Sequence, residues 1–430
     1  MKKLVAISVI LCMSLAVIAQ DGTTYWENGK KKTEGQFKDG KEIGNWIYYF
    51  SNGKVSMQGN YENGKKVGVW KEWYKTGELH SEYQMPTGLF QSWFENGKKE
   101  SVGYMKNEEK DGIWQFYYND GSLFRKCFYV ADILQDTCKE YYRNGRPMFV
   151  GFYKDGELEG NATWWYENGN IDMTGQLHVG QQEGKWYFYT ENGALGSEGN
   201  FVKGLQDGIW TYYYETGEKW KEGSFKEGKR DGKWQAWYEN GCKQREGNFE
   251  NDLQEGLWTD YYPTGKKQDE GYFCHSKMCG QWQGWFSSGL LKYQTEYEKN
   301  LRNGKHKMYW HNGKLKESGS FQKDEKIGKW STYSEYGRLL STGRYQVNKK
   351  TGKWIFYDEK GCKLRQQSYS EDIPNGKWVA YQANGKKQDA GCYKMLDKTG
   401  VWTSYDAQGK VIRKVKYNNG QEVKVIVGSK

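Results

Sequence analysis

Apolar positions return along this chain in a fixed order. DGKWQAWYENG (231–241) is preceded 24 residues earlier by DGIWTYYYETG (207–217) and followed 24 later by EGLWTDYYPTG (255–265). With the Trp of each phrase as position 0, the same site falls at Trp46, Trp70, Phe90, Trp114, Cys138, Ala162, Trp186, Trp210, Trp234, Trp258, Trp282, His306, Trp330, Trp354, Trp378 and Trp402. Every step is 24 except the step of 20 from Trp70 to Phe90, and an incomplete copy begins at Gly22, which makes seventeen units. Position 3 is Tyr or Trp and position 7 is Gly in all seventeen, from Tyr25 to Tyr405. Such self-similarity defines a repeat array rather than a set of separate domains.

Within a unit the apolar residues alternate as in strands, and glycines punctuate them. Asn-Gly at positions 6–7 predicts a type I′ hairpin turn, which would pair position 4 with 9 and 0 with 13. A second turn centred on positions 18–19 would pair 15 with 22, and 13 with the next position 0. Two eight-residue strands and two four-residue turns give the period of 24. This register sets each Trp beside a glycine on both neighbouring strands, where the ring can cover it. It also sets positions 0, 4, 9, 13, 15 and 22 on one face, with aliphatics such as Val55, Leu79, Leu123 and Ile171 at position 9. The step of 20 loses its four residues at Met85-Pro86-Thr87-Gly88, an even number that keeps the faces in phase, with a kink expected at Pro-Thr. The expected fold class is all-β: an elongated array of antiparallel β-hairpins in a continuous meander.

Composition agrees. The chain has 21 Trp, 35 Tyr and 55 Gly among 430 residues but only 4 Pro. That stock suits short strands and tight turns, and it is too aromatic for disorder. Residues 1–19 differ: Lys2 and Lys3 precede an apolar run from Leu4 to Ile18, closed by Val17-Ile18-Ala19, the pattern of a secretory signal peptide. Residues 20–420 are then the array and 421–430 a C-terminal capping strand. Export would place the chain in the periplasm, cell envelope or outside the cell. The formal charge of +10 is spread through turn lysines, so nucleic acid is not indicated as a partner.

"EGSFKEGKRDGKWQAWYENG" (222–241) has the G-x-[aromatic]-x-x-G-x-x-x-G spacing of a MORN repeat. The array resembles the MORN-repeat variant of long bacterial arrays, including YwqK-like antitoxin proteins. The resemblance covers residues 22 to about 420 and implies a meander of hairpins used for protein–protein contacts or membrane-associated scaffolding. Cys138, Ala162 and His306 depart from the pattern at the Trp site, and Tyr83 and Cys127 at the position 13 glycine.

In an exported chain, cysteines suggest disulfides. The expected register sets Cys127 opposite Cys138, and Cys274 opposite Cys279, across second-turn hairpins; Cys242, Cys362 and Cys392 stay free. Cys274, His275 and Cys279 supply too few ligands for a metal site. His306 reads as a packed ring, and His306 and His311 straddle a turn where they could meet. No nucleophile elbow, phosphate loop or metal-protease signature occurs, and uniform repeats lack a unique pocket, so the chain reads as non-enzymatic and free of cofactors. Position 3 lies opposite position 0 if the strand is regular. Tyr189, Tyr213, Trp237, Tyr261, Trp285 and Tyr309 then form an aromatic row among polar neighbours, a surface for a protein partner. Alternative readings are a cell-wall glycan or membrane-surface binder, and a structural spacer. Position 4 changes from aromatic to Ser334, Asp358, Gln382 and Asp406 in the last four units, which predicts a more polar face there.

Overall fold

The computed structural model describes residues 19–427, so the predicted signal segment lies outside the described residues but for its last position. The described residues form thirty-six β-strands and no helix, and every pairing is antiparallel. The chain divides into two compact units, Met1–Leu205 and Gln206–Lys430. Each is a meander in which successive strands pair with their sequence neighbours. In the first unit the short strands Gln20–Asp21 and Thr24–Tyr25 both pair with Lys31–Lys38. The second ends on Gln421–Val427, which pairs with Val411–Asn418 and is exposed along its whole length.

Both turns differ from the expected types. At Asn-Gly the loop has three residues: Tyr238 N–H donates to the Cys242 carbonyl at 2.8 Å, and Gly241 N–H to the Tyr238 carbonyl at 2.9 Å. Gly241 has φ of 78° while Asn240 stays at negative φ, a type I turn closed by a glycine bulge. Position 4 therefore pairs with 8 rather than 9, and position 3 with 9 (Trp237↔Lys243). The asparagine is used differently: its Oδ1 accepts from the position 8 amide and its Nδ2 donates to the carbonyl of position 5 in the next unit, as Asn240 does to Pro263 at 3.0 Å. Asn52, Asn96, Asn168 and Asn312 repeat this staple. The position 8 lysine adds another, from Lys98 Nζ to the Asp120 carbonyl and from Lys266 Nζ to the Ser288 carbonyl. Sequence reasoning took this Asn for a left-handed residue, but it is a link between repeats.

The second turn is the type I′ one, on positions 17–18 rather than 18–19. Glu227 and Gly228 have φ of 51° and 78°, Phe225 pairs with Arg230 and Lys226 with Lys229. The two surplus residues, positions 22 and 23, bulge out before the next Trp, and Gly232 takes φ of 89° there. Gly223↔Trp234 and Trp234↔Gly247 are nevertheless both in register, as expected. The 20-residue step omits this bulge: Tyr83 pairs with Phe90 without a register shift, around a Pro86-Thr87 turn with a cis Met85–Pro86 bond.

The two recurrent glycines have different causes. A Cβ at Gly68 or Gly256, both at position 22, would meet nothing within 4 Å, so the positive φ alone asks for glycine. A Cβ at Gly59, Gly175, Gly223 or Gly319, all at position 13, would stand closer than 3.0 Å to the following Trp ring, which lies in the space. The ring covers only the earlier of its two glycine neighbours. Its Nε1 donates to the carbonyl of the residue after that glycine at 2.9–3.3 Å, beside the bulge where the strand ladder is interrupted. Trp186 and Trp330 are 1% exposed in this arrangement, and Trp70 is fully buried too, although its Nε1 makes no hydrogen bond. Phe or Tyr at position 15 meets the ring edge-on, as Phe249 meets Trp258 at 5.1 Å. A position 20 lysine lies over it, as Lys326 over Trp330 at 4.0 Å.

Side chains at positions 13 and 24 exchange together. Cys127 and Cys138, Tyr83 and Phe90, and Thr295 and His306 replace a Gly–Trp couple as pairs. Two couples break this rule: Gly151 is kept before Ala162, and Gln367 occupies position 13 before an intact Trp378. The glutamine is 3% exposed, whereas Trp378 is only half-buried and leans to within 5.1 Å of Trp402. Gln367→Gly is therefore expected to admit Trp378 to its slot. The added burial, less the backbone entropy of a new glycine, stabilises this region by roughly 1 kcal/mol. Hydrogen exchange over residues 363–394 checks this: slower exchange in the variant is expected, and unchanged or faster exchange would contradict it.

Candidate functional site

Positions 0, 2, 11, 13, 15 and 20 share one face, since Trp46 packs with Tyr48 and Tyr61, and Lys66 covers Trp70. Positions 4 and 9 do not belong to it, contrary to the sequence reading. Position 9 lies with position 3 on the opposite face, because the bulge falls on the second strand of the hairpin, at position 10, and leaves positions 0 to 3 regular. The position 4 ring packs on position 10, as Tyr118 on Phe124 at 5.0 Å. It also donates to the position 3 carbonyl of the next unit: Tyr214 to Trp237 at 2.9 Å, Tyr238 to Tyr261 at 2.8 Å, Tyr262 to Trp285 at 2.9 Å. Among the polar replacements, Gln382 reaches the Asp406 carbonyl at 2.7 Å, while Asp358 turns back to cap the Cys362 amide at 2.7 Å.

Of the aromatic row, Tyr189 belongs to the first unit, and Tyr213, Trp237, Tyr261, Trp285 and Tyr309 to the second. All six are half-buried. Successive members of the row in the second unit lie two strands apart, about 10 Å, so each ring is a separate contact point. Trp237, Tyr261 and Trp285 each sit against a polar frame that sequence reasoning missed. Lys at position 9 and Glu at position 12 of the preceding hairpin pair with each other, Lys219 with Glu222 at 2.7 Å and Lys243 with Glu246 at 2.9 Å. The lysines lie 5.7–5.9 Å from the rings of Trp237, Tyr261 and Trp285. Tyr261 donates its hydroxyl to Glu246 Oε1 at 2.6 Å, and Thr211 and Thr259 donate to Glu222 and Glu270 from the other side. The signal was the recurrent K-x-x-E in KWKE, KQRE and KQDE. Partial burial pushes the Glu246 carboxyl up, but hydrogen bonds from Tyr261 and Lys243 outweigh it and hold the group down at about 2. Burial, then the Glu246 bond, raises the Tyr261 phenol to about 12. At neutral pH both stay in one protonation state, and the frame sets fixed opposite charges beside the Trp237, Tyr261 and Trp285 rings.

Cys127 and Cys138 are joined directly across their hairpin, Cα–Cα 4.1 Å, both 1% exposed and packed on Trp114 and Tyr129. Cys274 and Cys279 are also joined, Cα–Cα 5.9 Å, but diagonally. Cys274 faces Lys277 and Cys279 faces Tyr272, because the turn is centred one residue earlier than expected. Cys242, Cys362 and Cys392 are free thiols. His306 lies 2.8 Å from Thr295 Oγ1 and 3.5 Å from Glu317 Oε1, and packs on Phe321; His311 instead stacks on Phe286 at 4.0 Å. Glu317 is held below the usual carboxylate range by the His306 hydrogen bond. Among the described residues there is no group of three or more His, Cys, Asp or Glu placed to hold a metal ion.

The MORN repeat variant pattern matches residues 21–39, 42–63, 66–85, 86–107, 110–131, 158–176, 206–227, 230–251, 254–275, 302–323 and 398–419. These segments cover more than half of the chain, and the protein belongs to the MORN repeat variant family. MORN repeats are interaction repeats, serving contacts with proteins or membranes. No curated protein matches the sequence. Among solved structures, a chain in the crystal structure of TcdB2-TccC3-Cdc42 aligns with 93% of this chain and 23% of its own length, at 12% identity and a TM-score of 0.14. A chain of the Photorhabdus luminescens Tc holotoxin pore aligns with 92% and 23%, at 12% identity and a TM-score of 0.15. This protein thus spans about a quarter of the length of those chains.

Proposed function

We propose that this protein is an exported, non-enzymatic scaffold that binds another protein through the position 3 aromatic row, as an antitoxin-like binder would. The observation that carries this reading is the framed row in the second unit: Tyr213, Trp237, Tyr261, Trp285 and Tyr309 share one face, each half-buried. The rings of Trp237, Tyr261 and Trp285 lie beside Lys–Glu pairs. Aromatic anchors that are already immobilised give large contact area at little entropic cost, and the ion pairs around them fix the register of a partner.

The full mature chain is immobilised and exposed to an envelope extract, beside a variant with Tyr213, Trp237 and Tyr261 all changed to Ser. The expected result is a stoichiometric protein captured by the native chain and lost with the variant. Capture that survives the triple change removes the row as the contact surface. Retention on wall polysaccharide with no protein captured would replace this reading with glycan binding.

A further inference from the structure

On the tryptophan face of the second unit, positions 2 and 11 form a ladder across successive strands. It runs Tyr212↔Lys221↔Ala236↔Arg245↔Asp260↔Asp269↔Gly284↔Tyr293. In six of the seventeen units position 2 carries a ring, and Phe188 lies beside Trp186 at 6.0 Å as Phe356 does beside Trp354 at 6.1 Å. Two rungs of the ladder carry a small residue there instead. At Gly284 the neighbour fills the space, since a Cβ there would collide with the Tyr293 ring. At Ala236 it does not, and a cavity of about 540 Å³ remains over Trp234 and Trp258. Trp234 is 9% exposed, against 1% for Trp186.

The walls of this notch are cationic. Lys221 and Arg245 stand on the strands at either side of Ala236, and Arg230 closes the end. Arg230 is matched by Asp252 at 2.9 Å. Arg245 is paired with Asp260: Nη2 donates to Oδ2 at 3.4 Å, and Nε lies 2.8 Å from Oδ1 without donating a hydrogen bond. Lys221 makes no ion pair among the described residues; its ammonium rests on the Tyr212 and Trp220 rings, each at 4.3 Å. Ala380, the other alanine at position 2, is flanked by Arg365 and Asp389 and so carries no such excess.

We propose that the Ala236 notch is a recognition site for an acidic side chain of a partner polypeptide, which seats its carboxylate between Lys221 and Arg245 and lays a neighbouring apolar group on Trp234 and Trp258. The polypeptide source rests on the interaction role proposed above. The site itself lies on the opposite face from the aromatic row.

The probe is a capped tripeptide of phenylalanine, glutamate and phenylalanine, titrated calorimetrically into the full chain, with the glutamine tripeptide as control. The glutamate peptide is expected to bind at least tenfold more tightly than the control, and to weaken as salt is added. Ala236→Phe restores the ring that Phe188 and Phe356 supply in other units, so it should fold and melt as the native chain does. It and Lys221→Gln are each expected to weaken the glutamate peptide by at least tenfold. The Tyr213/Trp237/Tyr261→Ser chain keeps this binding, so failure of the notch and failure of the row are read separately. Equal binding of the two peptides, binding unaffected by both notch variants, or no binding of the glutamate peptide would overturn the proposal.

Discussion

Gly223→Val is expected to unseat Trp234 and to destabilise its surroundings by about 3–4 kcal/mol, the sum of overpacking and of a large ring returned to water. The cause is space. A Cβ at Gly223 would lie closer than 3.0 Å to Cδ2, Cε2 and Cγ of the Trp234 ring, all in the rigid part of the indole. The displaced ring also surrenders its 3.0 Å bond to the Ser224 carbonyl and its edge contact with Phe225 at 5.2 Å. Gly232→Ala, nine residues on, offers a contrast. Gly232 sits at φ of 89° with no backbone or rigid group near its Cβ, so the change costs only about 1–2 kcal/mol of left-handed strain. Because each repeat touches only its neighbours, the damage should be local, with faster hydrogen exchange in residues 219–250 and little change beyond residue 300.

The second large effect lies in the first unit. Cys127→Ser opens a cross-link between residues 11 apart, which by loop-closure entropy removes about 3 kcal/mol from stability. The strands around this pair carry the same bulge as elsewhere, with Lys126↔Lys139 followed by Phe128↔Gln135. A Gly–Trp couple should therefore fit the rung. Cys127→Gly combined with Cys138→Trp is expected to recover at least half of the loss, without a disulfide. Urea unfolding of the single and double variants, read beside the native chain under oxidising conditions, measures both. A double variant no more stable than Cys127→Ser would mean that the two couples are not interchangeable.

What the sequence disclosed and what it concealed follow from one property of hairpins. The Trp234 pairings with Gly223 and Gly247 were legible because they sit in the middle of each strand pair, where parity and hydrophobic pattern fix the face. The turn types were not. Asn240 had the look of a type I′ residue, and its real task is a bond to a carbonyl 23 residues away, which no local rule reads. The three-residue loop and the bulge at Gln244 compensate each other, as do the shifted second turn and the bulge at Gly232, so wrong turns gave the right centre. Errors surfaced only near the turns: position 9 changed face, and Cys274 and Cys279 became diagonal. The Lys243–Glu246 frame was present as K-x-x-E on one strand, but Tyr261 ends the next strand and joins it only once the register is known. The Ala236 notch was invisible for the opposite reason: one small residue is unremarkable until its neighbours are seen to leave the gap unfilled.

A double-mutant cycle between Gly223→Val and Trp234→Ala tests the slot most directly. If the ring occupies the space that glycine leaves, valine should do little harm once the ring is gone, and the two changes should couple by about 2 kcal/mol or more in urea unfolding followed by hydrogen exchange over residues 219–250. Additive losses would contradict it.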